Sequence, residues 1–190
     1  MRKSRGMPLD RQQIIAATFD LLREGGLDGL SMRKLAKRLD VQGATLYHHF
    51  ASKRVLLDHI VEELLAPSWR NPLPGEDWRA WMLAISTLTR DGMLSCKDGA
   101  ILCAGGAPTG SERSQRLVQT TYQPLLEVGF DHTQATFIRM AAYRFTLGWT
   151  IDEQASLAAK RGRGVTGSDE AFQFGLSALI RGFPDPEPQT

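Results

Sequence analysis

Apolar residues recur along most of the chain at intervals of three and four, while the alternation that a half-buried strand requires is missing. Ile14, Ile15, Thr18, Leu21 and Leu22 mark the buried face of a first helix. Asp10 and Gln13 stand at capping-box spacing before it, and Gly25-Gly26 supply a stop. A second helix begins after Ser31, with Leu35, Ala36 and Leu39 inward and Arg33, Lys34, Lys37 and Arg38 outward. Asp40, Val41 and Gln42 form a turn, and a short third helix, Gly43 to Phe50, turns Leu46 and Phe50 inward at a spacing of four.

A fourth helix, from Ser52 to about Ala66, carries an apolar stripe (Leu56, Leu57, Ile60, Val61, Leu64, Leu65) wide enough to serve two neighbours. PSWRNPLPGE, with three prolines and a glycine, reads as a boundary. Beyond it, Trp78 to Thr89 is amphipathic and Gly92 should stop it. A short element lies around Leu94 to Leu102, and AGGAPTG is a loop. Thr109 and Glu112 cap a helix in which Pro124 should cause a kink. Asp131 and Gln134 open the longest helix, to about Ala159, whose middle, FIRMAAYRFTLGWTI, is apolar on nearly every face. KRGRGVTG is a loop, Ser168 starts a last helix, and PDPEPQT is a frayed tail. The expectation is an all-α protein in three parts. Residues 1–51 form a three-helix unit, 52–66 a connecting helix, and 67–190 a larger helical unit.

A hydrophobic share of 42% over 190 residues supports a packed core, and no run of about eighteen uncharged apolar residues offers a membrane span, so the expected location is the cytoplasm. Cys96 and Cys103 are too few for a disulfide framework, and neither a CxxC nor a Cys/His cluster points to zinc; no metal and no cofactor are expected. Net charge is only +2, but its placement matters. Residues 1–54 hold eleven Lys/Arg against five Asp/Glu, a net +6, whereas the rest carries −4. A basic module for a polyanion beside a near-neutral module is the arrangement this describes.

Two short helices joined by a tight turn within a basic segment fit the major groove of B-DNA, with the start of the second helix at base edges and its flanks at phosphates. Gln42 can hydrogen-bond a base, Ala44 and the Thr45 methyl can touch a thymine methyl, and Gly43 lets the backbone approach. Arg33 can form a bidentate contact with guanine. Thr45, Tyr47, His49 and Lys53 suit phosphates, and His48 is a further exposed candidate. The adjacent histidines diverge by about 100° on a helix, too far to share a metal.

The segment from Asp10 to Leu65 resembles the DNA-binding domain of the tetracycline repressor family. The likeness rests on SMRKLAKRLDV, then Thr45-Leu46-Tyr47-His48-His49-Phe50 and Lys53-Arg54, with Asp40 where that family commonly has glycine. After Pro67, Gly75-Glu76-Asp77-Trp78, Ala107-Pro108-Thr109, Val128-Gly129-Phe130 and Phe145-Thr146-Leu147-Gly148 are similar to the tetracycline-responsive subgroup. That resemblance implies a ligand-responsive repressor, released from DNA by a small molecule. It also places Cys103 and Asp152 where the subgroup's magnesium-tetracycline site has histidine and glutamate, and Ile85 and Thr89 at its asparagine and phenylalanine positions. Gly106 and Ala107 replace its threonine and arginine.

A neutral thiol is a poor partner for magnesium, so the expected effector is more apolar than tetracycline. Its candidate contacts are Trp81, Ile85, Leu88, Thr89, Cys103, Tyr143, Trp149 and Phe174, with Arg144 or Asp152 at a polar end. The long and last helices, with Gly148, Gly175 and Ala178, resemble the pair that makes the family's four-helix dimer bundle. A homodimer would present two recognition helices to a near-palindromic double-stranded DNA operator. Two alternatives stay open: a DNA-binding regulator without an effector, and an all-helical enzyme, for which no nucleophile stands in a recognisable setting.

Overall fold

The computed structural model describes residues 9–105, 112–159 and 169–186. Their regular structure is helical, as expected: α1 (Arg11–Gly29), α2 (Met32–Arg38), α3 (Gly43–His49), α4 (Lys53–Leu65), α5 (Trp78–Leu94), α6 (Gly99–Gly105), α7 (Glu112–Glu127), α8 (His132–Ala158) and α9 (Asp169–Arg181), with a 3-10 turn at Ala66–Ser68. The locally encoded starts form as read. The Asp10 carboxylate accepts from the Gln13 amide at 2.7 Å while Gln13 Oε1 accepts from the Asp10 amide at 3.0 Å, and Asp131 with Gln134 repeats the box. Ser31 and Ser52 cap α2 and α4 through the amides of Lys34 and Val55, each at 3.2 Å.

Three boundaries depart from the sequence reading: α5 runs through Gly92 to Leu94, and one residue explains the other two. Gly26 breaks the helical path (φ 63°, ψ −160°), yet the chain resumes helical geometry to Gly29. The Asp98 carboxylate accepts the Leu27 amide at 2.9 Å, and a Cβ on Gly26 would overlap that carboxylate. Asp98 itself lies at φ 62°, so the short helix expected around 94–102 starts later, at Gly99. Asp40 takes the left-handed turn between α2 and α3 (φ 53°), which a short polar side chain tolerates. Pro124 is enclosed within α7, which continues across it. Thr109, Gly106, Ala107, the loop at 160–167 and Ser168 lie outside the described residues.

Apolar packing forms three clusters. Ile14, Leu35, Leu46, Phe50 and Leu56 unite α1 to α4 beneath α3. Leu22, Ile60, Leu64, Met93, Ala100 and Cys103 join α1 and α4 to α5 and α6. Trp78, Trp81, Ile85, Ile138, Phe172 and Leu176 join α5 to α8 and α9. A buried ion pair crosses the last group: Arg90 donates to Glu153 at 2.8 and 2.9 Å and to Asp169 at 2.8 Å, tying α5 to α8 and α9. Helix α5 lies close against the end of α4 at Gly92, where a Cβ would overlap the Leu64 carbonyl oxygen, a backbone atom with no rotamer to yield. Gly92→Ala should therefore cost about 1–3 kcal/mol of stability through overpacking, seen as a lower urea midpoint; an unchanged midpoint would contradict this crossing.

Candidate nucleic-acid interface and effector cavity

Helix α3 is pinned from below and left bare above. Leu46 and Phe50 are fully buried. Arg11 donates to the His49 carbonyl at 3.2 and 2.8 Å, and its guanidinium lies 5.0 Å from the Phe50 ring centroid, so the start of α1 clamps the end of α3. On the outer side Gln42, Gly43, Ala44 and His48 are exposed, Tyr47 is 51% exposed, and Thr45 and His49 are half-buried. Gln42 caps α3 without a side-chain bond to it, which leaves its amide off the helix. A Cβ on Gly43 would meet open space, so internal packing does not require glycine there. Arg33 is exposed on α2, whereas Lys53 is half-buried and donates to the Leu30 carbonyl at 2.8 Å. That bond uses one of three ammonium donors and fixes the side chain across the end of the α1 segment.

Behind α4 lies a cavity of about 370 Å³. Its wall takes Val61, Glu62 and Leu65 from α4, Met82, Ile85, Ser86 and Thr89 from α5, Cys103 and Ala104 from α6, Tyr122 from α7, and Arg139, Met140, Tyr143, Arg144 and Leu147 from α8. Several polar groups on this wall are already engaged. Thr89 and Thr146 bond carbonyls of their own helices at 2.8 and 2.9 Å, and the Tyr143 hydroxyl donates to the Cys103 carbonyl at 3.3 Å. Asp58, also on the wall, accepts from Arg54 at 3.0 Å.

The cavity gathers five of the expected contacts, Ile85, Thr89, Cys103, Tyr143 and Arg144, and leaves out the other five. Helical phase is the reason. Met82, Ile85, Ser86 and Thr89 form one stripe of α5, while Trp81 and Leu88, seven apart, lie on another. Trp81 is fully buried and its indole N–H donates to the Arg70 carbonyl at 2.8 Å. Leu88 is half-buried away from the wall. Trp149 packs against Phe145 and Phe172, with centroids 5.6 and 6.0 Å apart, between α8 and α9. Asp152 is exposed and Phe174 is 80% exposed, so neither borders this cavity in the single chain.

The profile for bacterial regulatory proteins of the tetR family matches residues 14–60, and that for the tetracyclin repressor-like C-terminal domain matches residues 71–164. The tetracycline repressor protein class A from transposon 1721 of Escherichia coli is 35% identical, spanning 92% of this chain and 90% of that protein. This chain belongs to the tetR family. A TetR variant from Acinetobacter baumannii AYE, solved in complex with minocycline, superposes with a TM-score of 0.82 at 38% identity, over 92% of this chain and 96% of that one. TetR class A in complex with 5a,6-anhydrotetracycline and magnesium gives 0.77 at 33% identity, over 92% and 97%. BioQ, solved with its double-stranded DNA operator, gives 0.72 at 28%, over 92% and 97%. As a TetR-family protein, the chain is a ligand-responsive transcriptional repressor that binds DNA through its N-terminal helix-turn-helix.

For this TetR-family member the cavity does not suit a magnesium ion. Burial, with Cys96 adding to it, pushes the Cys103 thiol up to about 12, so it is neutral near pH 7, and Asp58 is engaged by Arg54. Among the described residues, no group of three or more His, Cys, Asp or Glu is placed to hold a metal. Sequence reasoning missed Arg139, Met140, Glu62 and Trp69 in the wall. For Arg139 a signal existed: it is a charge inside a run that is apolar on nearly every face, four residues before Tyr143. Since only the thiolate attacks, Cys103 and Cys96 (the latter pushed up to about 11) should react with an aryl disulfide reagent at pH 8 at least about tenfold more slowly in the folded protein than in denaturant. Equal rates would show that the thiols do not feel this burial.

Proposed function

We propose that this TetR-family repressor binds a near-palindromic operator as a homodimer, and that a small, largely apolar effector seated in the α4–α8 cavity releases it. One observation carries the reading. Helix α4 contributes Leu56 to the core beneath α3, while Val61, Glu62 and Leu65, one to two turns further on, face the cavity. Any displacement of α4 by a ligand is thereby a displacement of the recognition helix. An effector can shift the equilibrium only by its difference in affinity for the two geometries, and moving it from 1:99 to 99:1 takes about 5.5 kcal/mol.

The dimer reading rests on an outward face that the single chain leaves bare. Phe137 is 67% exposed on α8, Phe174 is 80% exposed on α9, and a Cβ on Gly148 would touch nothing. Large apolar groups beside small ones admit close helix packing by a second copy. Residues 1–51 then act as reader, 52–66 as lever and 67–190 as sensor and dimer interface. Among the described residues no helix is long and apolar enough to cross a membrane, in keeping with a cytoplasmic regulator.

The test uses a duplex selected in vitro from random sequence and read by fluorescence anisotropy. If Arg33, Thr45, Tyr47, His49 and Lys53 meet DNA, the two basic side chains that each protomer brings imply a fall in affinity of about 10²-fold between 50 and 200 mM salt, as release of about four counterions demands. Tyr47→Ala should weaken every sequence alike, while Arg33→Ala should relax preference at one base pair by about 1–3 kcal/mol. Gly43→Ala should leave the melting temperature in place or raise it slightly, since its Cβ meets no atom, and still impair binding. Unchanged binding in all three variants would remove α3 from the interface. Tetracycline with magnesium should leave the duplex bound; release at micromolar drug would overturn the apolar-effector reading.

A further inference from the structure

Arg139 is the anomaly in the cavity wall. Its Nε is sealed from solvent and has no hydrogen-bond partner. The groups around the guanidinium are phenols: its carbon lies 4.9 Å from the Tyr122 ring centroid, and Tyr143 stands one turn along α8. Burial pushes the guanidinium below its ordinary pKa against the pull of these phenols. The buried Arg90 is answered by Glu153 and Asp169, and the half-buried Arg70 by Glu76 at 2.7 Å through both its terminal nitrogens. Of the two acids on the same wall, Asp58 is answered by Arg54 and the buried Glu62 has interactions of its own. An arginine is costly to bury without a counter-charge, and a cation–π contact offsets only a part of that cost.

We infer that the effector is an amphiphilic anion, an apolar body with a carboxylate-like head, and that Arg139 is the residue that receives the head. This rests on the effector reading above and deepens it: the largely apolar body lies along Ile85, Met140 and Leu147, and its charge supplies what the guanidinium lacks. A planar fork of donors matches a carboxylate with two parallel hydrogen bonds, the geometry for which arginine surpasses lysine. A neutral ligand of the same shape leaves Arg139 as it is, and a cationic one adds repulsion.

The test has a ligand-free and a ligand-bound arm. Arg139→Met keeps the aliphatic stem and removes the unanswered charge, so the ligand-free protein should melt about 2–4 °C higher; a lower melting temperature would show that Arg139 is paired within the fold or across the dimer and overturn the assignment. In the second arm, 4-biphenylcarboxylate, 4-biphenylcarboxamide and 4-biphenylmethylamine are titrated at pH 7.5 into the full chain and into Arg139→Gln. The carboxylate should bind wild type at least about tenfold more tightly than the amide, with the amine weakest, and the preference should vanish in Arg139→Gln. No binding of the carboxylate, equal binding of the amide, or a preference surviving in Arg139→Gln would each overturn it. Operator release is read in parallel. An amide that binds and releases DNA defeats the head-group assignment and leaves the ligand-response reading standing. A carboxylate that binds through Arg139 and leaves the operator bound supports the assignment and defeats the ligand-response reading.

Discussion

Leu56 is packed into the cluster under the recognition helix, and four and eight residues further along the same helix Ile60 and Leu64 are packed into the cluster that α5 and α6 share. Close-packed interiors do not absorb a shift of one element by compressing, so a rigid helix held in two cores transmits displacement from one to the other. The rest of the molecule is arranged about that constraint. The approach at Gly92 sets how near α5 comes to α4, and Asp98 holds the end of α1 to the start of α6 through the Leu27 amide. The first joint is a contact of backbone on backbone, with no rotamer through which to slip, and the second holds a backbone amide by a carboxylate; together they fasten the reading half to the sensing half.

A cavity of this size persists only if its walls are held apart by something other than its contents, because unfilled apolar surface forgoes dispersion contacts. Helix α5 supplies that hold from the far side. Arg90 clamps it to α8 and α9, and Trp81 is locked by its bond to the Arg70 carbonyl. With those anchors on the stripes away from the cavity, the stripe from Met82 to Thr89 need not collapse onto α8. The aromatic residues that composition offers as ligand contacts are in large part the anchors of the frame.

Which features could be read in the sequence follows from the range of the forces that set them. The caps at Asp10, Ser31, Ser52 and Asp131 act over three residues, and all four form as read. The continuation of α1 past Gly26 and the late start of α6 depend on Asp98 meeting Leu27, a contact spanning 71 positions that no local pattern encodes. At the cavity, residue type was legible and phase was not. Tyr143 and Trp149 both read as apolar and buried, yet six positions along α8 leave them about 120° apart around the helix axis, placing one at the cavity and the other against Phe172. Arg139 escaped because its significance lies in the partner it lacks, which becomes visible only once its neighbours are placed.

That missing partner bears on how the switch is powered. Tight binding alone moves no equilibrium, since a ligand must prefer one arrangement of α4 over the other. A cavity wall of aliphatic and phenolic groups gives a ligand affinity with little directional demand, because apolar contacts adjust to small shifts. An unanswered guanidinium does the opposite: a carboxylate head drawn to Arg139 on α8 fixes one end of the ligand within hydrogen-bond tolerance. The apolar body must then take up the distance to Val61 and Leu65 on α4. With one end fixed and the other pressing on a helix shared by two cores, the length of the ligand becomes a displacement of α4. Specificity for the effector and the stroke it produces are then one property, set by the span from Arg139 to α4.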